Sequence, residues 1–205
     1  MKQNISATRM EMLRLRKRVE LAVRGHRLLS QKRDEISRQL VQISRDLRTL
    51  RETVEQNFLE TTRRFMMARA TMEPEALRAA LEVPTKKFSL TTQFASIMSV
   101  KVPQFTRLME GDIISYGFAT TSGELDIALR ALDRAFETLI ELTEKEKQAQ
   151  LLAVELQSTR RRVNVLEHVV IPETKDAIRY IYTKLGEAER DNITRLMKIT
   201  DIIRG

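Results

Sequence analysis

"MLRLRKRVELAVRGHRLLSQKRDEISRQLVQISRDLRTL", Met12 to Leu50, decides the fold, because its apolar residues recur at alternating steps of three and four. Written as heptads, Met12, Val19, His26, Arg33, Leu40, Leu47 and Val54 form one row, and Leu15, Ala22, Leu29, Ile36, Ile43, Leu50 and Asn57 the other. Eleven of the fourteen are apolar, and their neighbours Arg45, Asp46, Arg48 and Glu52 are charged. A sustained seven-residue repeat keeps one narrow seam turned toward a partner helix and specifies a left-handed coiled coil. At about 1.5 Å per residue, a helix from Thr8 to Met72 would run about 100 Å.

The last third repeats the pattern. Leu125, Leu132, Leu139, Glu146, Ala153, Arg160 and Glu167 make one row, and Ala128, Ala135, Leu142, Ala149, Leu156, Val163 and Val170 the other. Beyond Pro172, which marks an expected kink or short break, Ile178, Ile181, Leu185 and Ala188 continue the spacing. Between the two seams, Pro74, Pro84 and Pro103 punctuate and Gly111, Gly117 and Gly123 offer turns. "FSLTTQFASIMSVKV" and "DIISYGFATT" are β-branched and aromatic, so two or three short strands with a hairpin are expected there. The predicted fold is mainly α. It is a long antiparallel two-helix left-handed coiled coil with a small central head containing a short β-hairpin. Its parts are residues 1–72 (N-terminal long helix), 73–122 (head) and 123–205 (C-terminal long helix). Folding back at the head brings Glu167 toward Leu28, within reach of Arg33 or His26, and Arg160 toward Glu35 or Asp34. His26, Arg33, Arg160 and Glu167 thus form an expected polar register layer in the seam.

Composition narrows the function. The chain of 205 residues has 31% charged and only 5% aromatic residues, no Trp and no Cys. Disulfides and thiolate metal sites are therefore excluded, and a reducing compartment fits. "MKQNISATRMEML" has no apolar signal segment, and no run approaches 18 apolar residues, so a soluble, cytosolic chain without membrane insertion is expected. The net charge of +8 is concentrated at one end: residues 1–33 carry 10 basic and 2 acidic groups. An acidic protein surface or a polyanion suits that end. His26 and His168 lack further ligands at metal spacing, Glu167 has no pocket in which to act as a base, and "GDIISYGFATTSG" lacks the G-K-[ST] of a phosphate loop. No cofactor, metal or catalytic residue is expected.

Two segments carry a family resemblance. "TRMEMLRLRKRVELAVRGHRLLSQKRDEI" (Thr8–Ile36) and "TRRRVNVLEHVVIPETKDAIRYI" (Thr159–Ile181) are similar to the signature segments of the D subunits of V-type and A-type rotary ATPases. The matches are Thr8-Arg9-Met10, Leu28-Leu29 with Lys32-Arg33-Asp34, and Arg161-Arg162-Val163-Asn164 leading through Leu166-Glu167 to Val169-Val170-Ile171-Pro172. The resemblance implies the central rotor shaft of a proton- or sodium-translocating ATPase or ATP synthase. Such a shaft stands with its termini inside a hexamer of A and B subunits, carries the small F subunit, and joins the membrane ring through the C (or d) subunit. It works on the cytoplasmic face of the membrane, in a peripheral complex, and is not itself an enzyme. Arg14, Arg16, Lys17, Arg18, Arg161 and Arg162 are then the expected contacts to A and B. The rival readings are a basic coiled coil that binds nucleic acid, for which aromatic platforms and reading motifs are lacking, and a scaffold hairpin with no motor.

Overall fold

The Thr8 hydroxyl accepts the Glu11 N–H (3.2 Å), which caps a helix that then runs without interruption over Arg9–Thr71 (α1). The computed structural model describes residues 6–117 and 121–204. Pro74 opens a short second helix at a position where its missing N–H costs nothing, α2 (Pro74–Glu82). Two strands follow, β1 (Lys87–Ile97) and β2 (Val100–Glu110), and then α3 (Gly123–Val165), a π-helical turn (Leu166–Val170) and α4 (Ile171–Arg204). Mainly α, with coiled-coil seams and one β-hairpin, is thus the fold. Two strands form, and the candidate for a third, Asp112–Gly117, forms none: Asp112 turns its carboxylate onto the Ile114 N–H (3.4 Å) and favours a local turn. Phe118–Thr120 lie outside the described residues.

Contacts divide the chain into two units, residues 1–35 with 156–205, and residues 36–155. In the second unit, α1 and α3 run antiparallel, tied by Arg51–Glu146 (2.6 Å), Asn57–Thr138 (3.3 Å) and Arg64–Glu124 (3.7 Å). Ile36, Ile43 and Val54 are buried on α1, as the heptads specify, and so is Ala68 beyond them; on α3 the buried residues include Ala128, Ala131 and Ala135. Small side chains there let the two backbones approach closely. α2 caps this end by laying Leu77 and Ala80 on Ala68 and Leu125, with Phe65, Met72, Tyr116 and Leu129 around them.

The hairpin is antiparallel over eleven pairs, from Lys87↔Glu110 to Ile97↔Val100, and lies along α3. Lys86 pairs with Asp133, Phe88 meets Phe136 edge-on (5.3 Å), and Arg107 pairs with Glu137 (3.2 Å). Further along, the Phe105 N–H donates to Glu144 (2.8 Å) and Gln148 donates to the Pro103 carbonyl (3.4 Å). Residues 133, 137, 144 and 148 recur at helical intervals on one face of α3, so a single face of that helix holds the hairpin.

One of the two heptad rows on α3, the one with Ala153 and Arg160, requires a correction. Leu152 and Thr159 are buried (0% and 1%), whereas Ala153 and Arg160, assigned to the seam from sequence, are exposed. The row with Val163 stands, and Leu125 is buried as assigned, but from Ala131 onward the companion row lies one residue earlier, about 100° around the helix. The rotation keeps the Arg160 guanidinium in water, where an ionised group is far cheaper to hold than in an apolar seam.

Candidate functional site

Unit 1 holds every residue singled out above for partner contact or register. Its two arms run antiparallel: Arg9 meets Glu189 (2.6 Å) and His26 meets Glu167 (3.4 Å). Leu15, Thr159, Val163, Thr174 and Ile181 are the buried residues of this unit among those described.

Pro172 stands inside a continuous helix instead of ending it. Its ring removes one donor and crowds the carbonyl four residues back. The backbone answers with a π-turn, in which the Ile171 N–H donates to the Leu166 carbonyl, five residues earlier. Thr174 adds a bond from its hydroxyl to the Val170 carbonyl (2.6 Å). The wider turn takes up one residue. Before it, the partly or fully buried positions include 159, 163, 166 and 170; after it, they include 174, 178, 181 and 185. An unbroken α-helix would have buried 173 and 180 instead. The sequence contains this signal, since the step from Val170 to Ile178 is eight residues rather than seven, but the regularity on either side hides it.

The expected polar layer is assembled in part. His26, about a quarter exposed, faces Glu167, which lies in the π-turn, across the two arms. Arg33 instead places its guanidinium on its neighbour Asp34, with Nε and one terminal nitrogen on the same carboxylate oxygen (2.9 and 2.7 Å). Arg160 is exposed and, among the described residues, enters no ion pair; it does not meet Glu35 or Asp34.

The six expected contact residues are all exposed. Arg14, Lys17 and Arg18 line one shallow groove on α1 together with Glu11, Leu15 and Leu21, and Arg16 points from the opposite side. Arg14 approaches Glu11 (3.6 Å), but no ion pair among the described residues engages Arg16, Lys17, Arg18, Arg161 or Arg162. Their charge is available to something outside the chain. A second feature was not expected from sequence: every described residue from Glu187 onward is exposed, including Leu196 (63%), Ile202 (78%) and Ile203 (78%). Since Glu189 already meets the first residue of α1, the rest of α4 continues past that helix with an apolar stripe that the described residues leave uncovered. Among the described residues there is no cluster of His, Cys, Asp or Glu that could hold a metal ion, and no helix long and apolar enough to cross a membrane.

The comparisons agree with this geometry. The chain is 47% identical over 203 residues to the V-type ATP synthase D subunit of Acetivibrio thermocellus, covering 97% of this chain and 91% of that one. It is 48% identical over 204 residues to the protein of the same name from Clostridioides difficile (98% and 91%), and 44% identical over 205 residues to that of Clostridium novyi (98% and 95%). Residues 11–201 match the family of ATP synthase D subunits, and the chain belongs to that family.

Proposed function

We propose that this chain is the central-stalk rotor subunit of a V/A-type ATPase or ATP synthase. It couples ATP synthesis or hydrolysis in a hexamer of A and B subunits to proton or sodium movement through a membrane ring. It holds no catalytic residue of its own; it carries the F subunit, joins the ring through the C (or d) subunit, and works on the cytoplasmic face of the membrane. The observation that supports this reading is the cationic surface of unit 1, Arg14, Arg16, Lys17, Arg18, Arg161 and Arg162, solvent-exposed and almost unspent on ion pairs among the described residues. A nucleic-acid reading shares the charge but not the family.

The physics of a bearing favours such a surface. An exposed ion pair is worth about 0–1 kcal/mol and is screened by salt, so no one angular position becomes a deep trap. Coupling requires contact energies that differ between states, not tight binding to one of them. Two helices of unequal surface chemistry present a different side to each of three alternating sites, which distinguishes sites that are chemically alike. The uncovered apolar end of α4 suits the inside of such a ring, where water is excluded.

The test is to reverse all six charges to Glu and reconstitute the complex. Helix content and melting temperature should hold, while ions moved per ATP should fall severalfold. An unaltered coupling ratio removes the proposed contact surface, and a wild-type chain that fails to assemble with A and B removes the rotor reading itself.

A further inference from the structure

The two edges of the hairpin are treated oppositely. Along β2, the Phe105 N–H goes to Glu144 and the Pro103 carbonyl receives Gln148, so α3 covers that edge. Both groups point away from β1. In an antiparallel ladder, residues opposite such positions also turn their N–H and C=O away from the shared ladder. Phe94 faces Pro103 and Thr92 faces Phe105. The backbone groups of Phe88, Leu90, Thr92, Phe94 and Ser96 therefore point out along the far edge of β1. Among the described residues no hydrogen bond reaches that edge from another element, and Phe94 beside it is 73% exposed.

Natural sheets blunt open edges with charge, proline or bulges. β1, "KFSLTTQFASI", has a single charge at its first residue, no proline and an unbroken register over eleven pairs. β2 carries Pro103, Lys101 and Arg107 although its edge is already covered. The edge that needs protection is the one without it, which is the pattern of an edge covered in the working state.

We propose that β1 is a docking edge that takes one extended strand from another component of the assembly, by strand addition. Residues 83–109 contain Lys86, Lys87, Lys101 and Arg107 and no acidic residue. Lys86 and Arg107 are matched by α3, while Lys87 and Lys101 remain exposed, so the incoming strand carries acidic residues. The choice of a different chain over a second copy rests on the rotor reading, because a central shaft is single.

Hydrogen–deuterium exchange read to single residues tests this, on the chain alone and in the complex with A, B, F and the ring-linking component. In the chain alone, the amides of Leu90, Thr92 and Phe94 should exchange about a hundredfold faster than those of Thr91 and Gln93. In the complex they should slow by about tenfold or more. Thr92→Pro removes an outward N–H that the hairpin does not use, and should weaken assembly by about tenfold with the melting temperature held. Outward amides still unprotected in the assembled complex overturn the proposal and leave the rotor reading intact. Protection that instead grows with the concentration of the chain alone identifies a second copy and also overturns it. Failure of the wild-type chain to assemble overturns both.

Discussion

The Ile171 N–H donates to the carbonyl of Leu166, five residues back, and Pro172 follows directly. One bond thus solves two problems at once. It spares the proline a regular helical turn, and it absorbs a residue that would otherwise rotate Thr174 and Ile181 out of the seam. The extra residue and the proline should be energetically coupled. Deleting His168 alone should cost about 3 kcal/mol, because Pro172 then falls in an ordinary α-turn. Deleting His168 together with Pro172→Ala should cost about 1 kcal/mol or less, since the phase is restored and the helix becomes regular. Urea unfolding of both variants and of Pro172→Ala completes the cycle; an additive result refutes the coupling.

At the hairpin tip, Met98 and Ser99 both adopt positive φ (51° and 66°), the geometry of a two-residue turn that prefers Asn-Gly. Neither residue suits that region. Met98→Asn with Ser99→Gly should stabilise the protein by about 1 kcal/mol, seen as a higher urea midpoint at unchanged slope.

Gly111 closes the hairpin at φ 91°, and a Cβ there would lie 2.5 Å from the Thr85 carbonyl oxygen, a backbone atom with no room to yield. Gly111→Ala should cost about 2 kcal/mol or more, and the loss should appear as faster amide exchange across β1 and β2 before any loss of helix.

Tyr116 donates to Asp126 (2.6 Å), and its phenol is pushed above the ordinary 10.0, first by burial and then by that bond. A raised folded pKa means the folded state holds its proton longer than the unfolded chain. The associated stability is complete below pH 10 and is lost as pH rises from there toward the folded value. The melting temperature should therefore decline above about pH 10. Tyr116→Phe should flatten that decline and delete the most alkaline step of the phenolate absorbance titration.

The seam of α1 was legible because its heptads are unbroken: every position from 12 to 57 named from spacing is at least partly covered in the structure. The basic end was legible too, since charge density needs no geometry. The C-terminal rows were not. Leu132, Leu139 and Ala153 compete with Ala131, Thr138 and Leu152 for the same seam, and each set is apolar enough to pass. Which set faces inward depends on the whole helix turning as one body. Close approach through Ala128, Ala131 and Ala135, the hairpin held by Glu144 and Gln148, and the cost of submerging Arg160 together select one rotation. Likewise, Pro172 announced a disturbance, but whether the helix would break or widen was settled by the partner arm, which rewards burial of Thr174 and Ile181 only if one residue is absorbed. Periodicity along a chain is a local property and can be read from it; the angle at which a helix meets its neighbour is fixed by the sum of contacts across the gap.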